Sequence, residues 1–136
     1  MPRNDFYHEH VKEALRKDGW TITHDPYPIL FAGMPMKIDL GAEKLIAQRG
    51  MRTIAVEIKN FRHSEANELA KTRGQLANYL DALAQRDPNR SLYLAIPKLT
   101  YQGLFSHTDV QAMVRKDRIR LIIFDPDTES IVEWKE

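Results

Sequence analysis

The chain has 136 residues, 43% hydrophobic and 29% charged, which is long enough to bury a core and too apolar for a disordered segment. It has no cysteine, which excludes disulfide frameworks, thiolate metal sites and cysteine nucleophiles and suits a reducing cytosol. Its net charge of +1 excludes the strongly basic balance of a nonspecific nucleic-acid binder.

Any contact with nucleic acid therefore rests on local patches. The candidates are Arg62 with His63, Lys71 with Arg73, and the run Arg115, Lys116, Arg118 and Arg120, whose plainer reading is a set of solvated faces. The longest apolar runs, such as Leu121–Phe124, are too short to span a bilayer. The first residues are polar, without the apolar stretch of a signal peptide, so the cytoplasm is the expected compartment.

Asn4 or Asp5 is positioned to cap a first helix, whose apolar residues Phe6, Val11, Ala14 and Leu15 follow the 3.6-residue period. Gly19 falls where a positive φ usually ends a helix. Trp20 to Thr23 alternates as a short strand, and a loop holding Gly33 and Pro35 is expected after it. Two strand-like runs follow, Lys37 to Ala47 and Arg52 to Phe61, joined as a hairpin through Gln48–Met51. Ser64 to Arg86 reads as a long helix capped by Ser64, with Leu69, Leu76, Leu80 and Leu83 on its buried stripe. Arg90 to Ile96 reads as a buried strand, a shorter helix is expected within Tyr101 to Lys116, and Ile119–Phe124 and Ser130–Trp134 are the last strands. The order α-β-β-β-α-β, then a helix and two strands, predicts one domain over residues 1–136: a mixed sheet covered by helices. Ser130–Trp134, at the end of that sheet, is an edge that could pair two copies of the chain.

Chemistry is expected first on the strand around Glu57. Side chains two apart on a strand share a face, so Glu57 and Lys59 point the same way while Val56 and Ile58 enter the core. An acid and a base on so apolar a strand are costly to bury without a partner. A bare Glu-x-Lys is weak, since an exposed ion pair explains it equally well. Asp39 strengthens it: Ile38 and Leu40 are expected to face one way and Asp39 the other. A hairpin pairing would then bring Asp39 beside Glu57. Two such carboxylates repel unless a cation or proton lies between them, and hard oxygen ligands suit Mg²⁺ or Mn²⁺. Gln75 and Tyr79 share one face of the following helix at the border of its apolar stripe.

Asp39, Glu57-x-Lys59 on a strand, and Gln75-x-x-x-Tyr79 on the next helix together resemble the PD-(D/E)XK nuclease superfamily, the last pair its RecB-type branch. The proline that leads that motif is absent, because Ile38 precedes Asp39. Nearly end to end, the chain resembles the XisH family, named for factors controlling excision of a DNA element in cyanobacteria. The resembling stretches are Lys17–Pro26, Asp39–Leu45, Ala55–Lys59, Arg73–Leu76 and Phe124–Thr128. The resemblance implies a restriction-endonuclease-like α/β fold in which Asp39, Glu57 and the backbone carbonyl of Ile58 hold one or two divalent ions. Lys59 would orient the attacking water or stabilise the pentacoordinate phosphorus, and Gln75 and Tyr79 would position the water or contact DNA phosphates. His8 or Glu9 could add a ligand from the first helix, whereas His24 reads as structural. Two functions fit: metal-dependent hydrolysis of a DNA phosphodiester, or a catalytically silent DNA- or protein-binding regulator. A XisI-type partner is implied in either case.

Overall fold

The computed structural model describes residues 6–62 and 65–136. The elements in chain order are α1 (His8–Lys17), β1 (Thr21–His24), β2 (Tyr27–Phe31), β3 (Met34–Ile38), β4 (Leu40–Ile46) and β5 (Gly50–Ile58). They continue with α2 (Glu65–Arg86), β6 (Arg90–Pro97), α3 (Lys98–Gln102), a 3₁₀ turn, α4 (Thr108–Asp117), β7 (Arg120–Asp125) and β8 (Ser130–Lys135). The expected α/β architecture is present: six strands in the order β1-β4-β5-β6-β7-β8 form a mixed sheet between helices.

The long helix α2 carries the chain from β5 to a parallel β6, and α3 and α4 carry it on to a parallel β7. All other pairings are antiparallel. Period-2 alternation in the central strands separates two apolar layers. Ile54, Val56, Ile58, Tyr93, Ala95, Ile122 and Phe124 pack with Val11 and Leu15 of α1. Ala55, Leu92, Leu94, Leu121 and Ile123 pack with Leu76, Tyr79 and Leu83 of α2 and with Val110 and Met113 of α4.

Several expectations need correction. The stretch after β1 is not a plain loop: β2 and β3 form a second hairpin, closed by Ala32 and Gly33, both at positive φ. The run Lys37 to Ala47 is two strands. Ile38 pairs with Tyr27 of the small hairpin and Leu40 with Val56 of the main sheet, so the chain crosses from one sheet to the other at Asp39. Ile38 and Leu40 consequently do not share a face; they enter the opposite core layers. β5 ends at Ile58, leaving Lys59 just past the ladder.

The shorter helix expected within Tyr101 to Lys116 is α4, and α3 and the 3₁₀ turn precede it. Leu80 faces solvent at the rim of the α2 stripe, and Phe6 is exposed rather than part of the α1 core face. The expected caps Asn4, Asp5 and Ser64, and the basic candidate His63, lie outside the described residues.

Gly19 follows α1 at φ +91, as expected of a left-handed helix terminus. Gly41 is required for space: a Cβ there would meet His24 Nδ1 and the Tyr27 ring at 3.0 Å. His24 is structural, its Nδ1 bonded to Thr23 Oγ1 at 2.8 Å and its ring edge-on to Tyr27. No described helix is long and apolar enough to cross a membrane.

Candidate metal centre

The crossing at Asp39 creates the site. A continuing ladder would pair the backbone opposite Glu57 and Ile58, but the chain leaves that edge, and the two acidic side chains take over its hydrogen bonds. Ile58 N–H donates to Asp39 Oδ2 at 2.8 Å, and Asp39 N–H donates to Glu57 Oε1 at 3.3 Å. In an extended strand one residue's N–H and C=O share an edge. The Ile58 carbonyl therefore lies on the Asp39 side, while Lys59 N–H faces the opposite edge and bonds Ala95 O at 3.1 Å. The site sits at the carboxyl ends of the parallel strands, where α/β sheets usually open their binding crevices.

Glu57 is 4% exposed and shares its face with Ala55 under α2. Burial pushes its pKa up to about 8, and the neighbouring Asp39 charge adds to the shift. Asp39 is also raised, chiefly by burial, although the Ile58 N–H and the charges of His8 and Lys59 act in the opposite direction. The two carboxyls lie close enough for each to act on the other's ionisation. Burial and mutual repulsion thus disfavour two negative charges on the pair unless a cation lies between them. Lys59 Nζ is 3.9 Å from Glu57 Oε2, close enough for ion pairing but not for a hydrogen bond.

This set fits a small hard cation. Two buried carboxylates and a backbone carbonyl on one strand edge supply oxygen ligands only, and with both carboxyls ionised Lys59 alone does not balance their charge.

Of the α2 pair, Tyr79 is buried and its hydroxyl donates to the carbonyl of Lys37 at 3.0 Å. Burial, and then the charges of Glu57 and Asp39, raise its pKa further from neutrality. Gln75, one turn earlier, has a buried Oε1 without a partner among the described residues. Thr72, not singled out from sequence, likewise has a buried hydroxyl without one.

The two candidates on α1 differ. His8 is 2% exposed and within electrostatic reach of Asp39. Its Nε2 lies 2.7 Å from Asp25 Oδ1. Glu9 is exposed and pairs with Lys12 at 3.5 Å, so only His8 belongs to the buried side of this cluster. Burial raises the Asp25 carboxyl, but hydrogen bonds from Lys12 and His8 outweigh it and hold the group below the ordinary carboxylate value. Asp25 lies in the Lys17–Pro26 stretch that carries the family resemblance, but its meeting with α1 comes only through the fold.

The basic candidates are dispersed. Arg73 is bound bidentately by Asp117 at 2.7 and 3.1 Å. Arg115, Lys116, Arg118 and Arg120 lie where α4 enters β7, at the opposite end of the sheet from the site. Arg62 lies four residues past the end of β5. With Asn60, Lys98, Thr100 and Asp125 it lines a cleft of about 310 Å³ beyond the end of β5.

The XisH protein family model matches residues 1–132. The chain is similar in structure to a XisH family protein from Nostoc punctiforme PCC 73102, with 39% identity, a TM-score of 0.88, and coverage of 97% of this chain and 100% of that one. It is likewise similar to a fdxN element excision controlling factor protein from Anabaena variabilis, with 37% identity, a TM-score of 0.86, and coverage of 98% and 100%. No curated protein matches. The chain belongs to the XisH family.

Proposed function

We propose that this protein is a metal-dependent phosphodiester hydrolase of the PD-(D/E)XK type that acts on DNA in the control of element excision. The observation that carries the reading is the buried Asp39–Glu57 pair, hydrogen-bonded at the end of a strand with Lys59 3.9 Å away. Asp39, Glu57 and the Ile58 carbonyl would hold Mg²⁺ or Mn²⁺. When bound, the ion lowers the pKa of a coordinated water and neutralises charge building on the phosphoryl oxygens.

The remaining roles belong to the chain's own side chains. Lys59 supplies a positive charge where the pentacoordinate phosphorus develops negative charge, an effect strengthened by a water-poor site. Gln75, whose buried Oε1 has no partner among the described residues, can hold the attacking water. Tyr79, whose hydroxyl is already committed to Lys37 O, acts by fixing the backbone that carries Asp39. His8 is the additional ligand from α1.

The name of the Anabaena variabilis relative, a controlling factor, favours a second reading. In it the same domain is a silent regulator that binds DNA or a XisI-type protein and leaves cutting to a separate recombinase. Incubation of supercoiled and linear DNA with Mg²⁺ or Mn²⁺ separates the two. Nicking or cutting that disappears in Glu57→Ala supports the hydrolase. DNA left intact under every metal condition favours the regulator.

A further inference from the structure

The carboxyl ends of the parallel strands β5, β6 and β7 open onto the cleft of about 310 Å³ that Arg62 lines. Hydrogen bonds between the segments that leave these strands hold its walls. Thr100 Oγ1 of α3 donates to the Asn60 carbonyl at 2.9 Å, and Arg62 N–H donates to Asn60 Oδ1 at 3.0 Å. Between the ends of β6 and β7, Lys98 Nζ lies 3.2 Å from Asp125 Oδ2, and Asp127 N–H donates to Asp125 Oδ1 at 2.9 Å. The concavity is set by the fold and needs no occupant to form.

Its charges are balanced, two cations against two carboxylates, so it does not suit a run of phosphates. Lys98 is taken by Asp125, whereas the Arg62 guanidinium has no acidic partner among the described residues. It lies instead 5.7 Å from the centre of the Phe6 ring. Phe6 is 68% exposed, and its ring meets that of Tyr7, which lines the cleft, edge-to-face at 5.0 Å. One unpaired guanidinium beside exposed aromatic surface is the pairing that single-stranded nucleic acid uses, a charge for the phosphate and a ring for the base. A volume at the low end of small-molecule sites admits one nucleotide. A duplex keeps its bases stacked inside and could offer the cleft only its backbone.

We propose that this cleft binds one unpaired nucleotide, its phosphate paired with Arg62 and its base stacked against the Phe6–Tyr7 rings. That the strand is DNA rests on the function proposed above; the binding itself needs no ion at Asp39 and Glu57. It gives the hydrolase and the silent regulator the same target, DNA with an unpaired segment.

The test is fluorescence anisotropy of a short labelled thymidine oligonucleotide titrated with the intact chain in EDTA. The single strand should bind, and a blunt duplex of the same length should compete poorly. Phe6→Ala should weaken binding by about 5- to 150-fold, the range for loss of one stacking ring, and Phe6→Tyr should keep it. Arg62→Gln should lower the slope of log affinity against log salt by about 0.7, the share of one phosphate contact on a single strand. Phe6→Ala should leave that slope unchanged. Both side chains are exposed, so neither change disturbs the core.

A single strand that does not bind overturns the proposal, as does a duplex that binds equally well. Unchanged affinity in Phe6→Ala and unchanged salt slope in Arg62→Gln place the binding elsewhere and overturn it too. Tighter binding of a uridine RNA oligonucleotide overturns the assignment to DNA. Because EDTA is present throughout, failure here leaves the metal reading of Asp39 and Glu57 standing, and failure of that reading leaves the cleft.

Discussion

Tyr79 of α2 reaches back 42 positions to donate its hydroxyl to the carbonyl of Lys37, two residues before Asp39. That bond pins the last turn of backbone before the chain crosses between sheets. Tyr79→Phe removes the donor and leaves a part-buried carbonyl unpaired, which should cost about 1–2 kcal/mol in urea unfolding. It should also weaken Mn²⁺ binding while leaving Glu57 in place. Unchanged binding with the expected stability loss would confine Tyr79 to the core.

The pH dependence of the metal-free fold follows from Glu57. Its folded-state pKa, about 8, lies above the ordinary value of 4.5, so between these values the folded chain binds more protons than the unfolded one. The stability this contributes is fully present below pH 4.5 and is lost as pH rises through 8, by an amount on the order of 3–5 kcal/mol. Asp39, also raised, acts in the same sense. Unfolding free energies measured with EDTA from pH 6 to 9 should fall in the wild type and stay nearly flat in Glu57→Gln. Equal slopes would show that Glu57 is not the group responsible.

Lys59 separates binding from chemistry. Lys59→Met removes the ammonium group but no oxygen ligand, so Mn²⁺ affinity should change little. DNA cleavage, where present, should fall by about 10²–10³, the usual loss on removing one charge stabiliser from a transition state. A parallel loss of both would make Lys59 part of the ion site's architecture.

Gly41 tests the packing beside the site. Gly41→Ala would push a methyl to 3.0 Å from His24 Nδ1 and from the Tyr27 ring, and should destabilise the fold by about 1–3 kcal/mol. Thermal melting of the variant measures it.

Much of this was legible in the sequence because period-2 alternation is strong on β5. Glu57 and Lys59 share a side, and Val56 and Ile58 are buried, as that rule requires. Asp39 meets Glu57 as expected, but for another reason. Alternation put Ile38 and Leu40 on one face, whereas the chain changes sheets at Asp39 and sends them into opposite layers. A crossover between sheets leaves no periodic trace. The β2–β3 hairpin escaped notice because Pro28 and Pro35 read as breakers, yet both are accommodated in a two-stranded ribbon whose strands are all edges. Asp25 lies in the resembling stretch Lys17–Pro26, yet its partner was not legible there: its meeting with His8 joins a helix to the end of β1 through the tertiary fold alone.

Anomalous diffraction from crystals grown with Mn²⁺ tests the shared-cation claim most directly. The expected result is a peak bounded by the carboxylates of Asp39 and Glu57 and the carbonyl of Ile58, with metal–oxygen distances of about 2.0–2.3 Å. A map with no peak there, or with its manganese between Glu9 and Asp25 in place of the Lys12 ammonium, would contradict it.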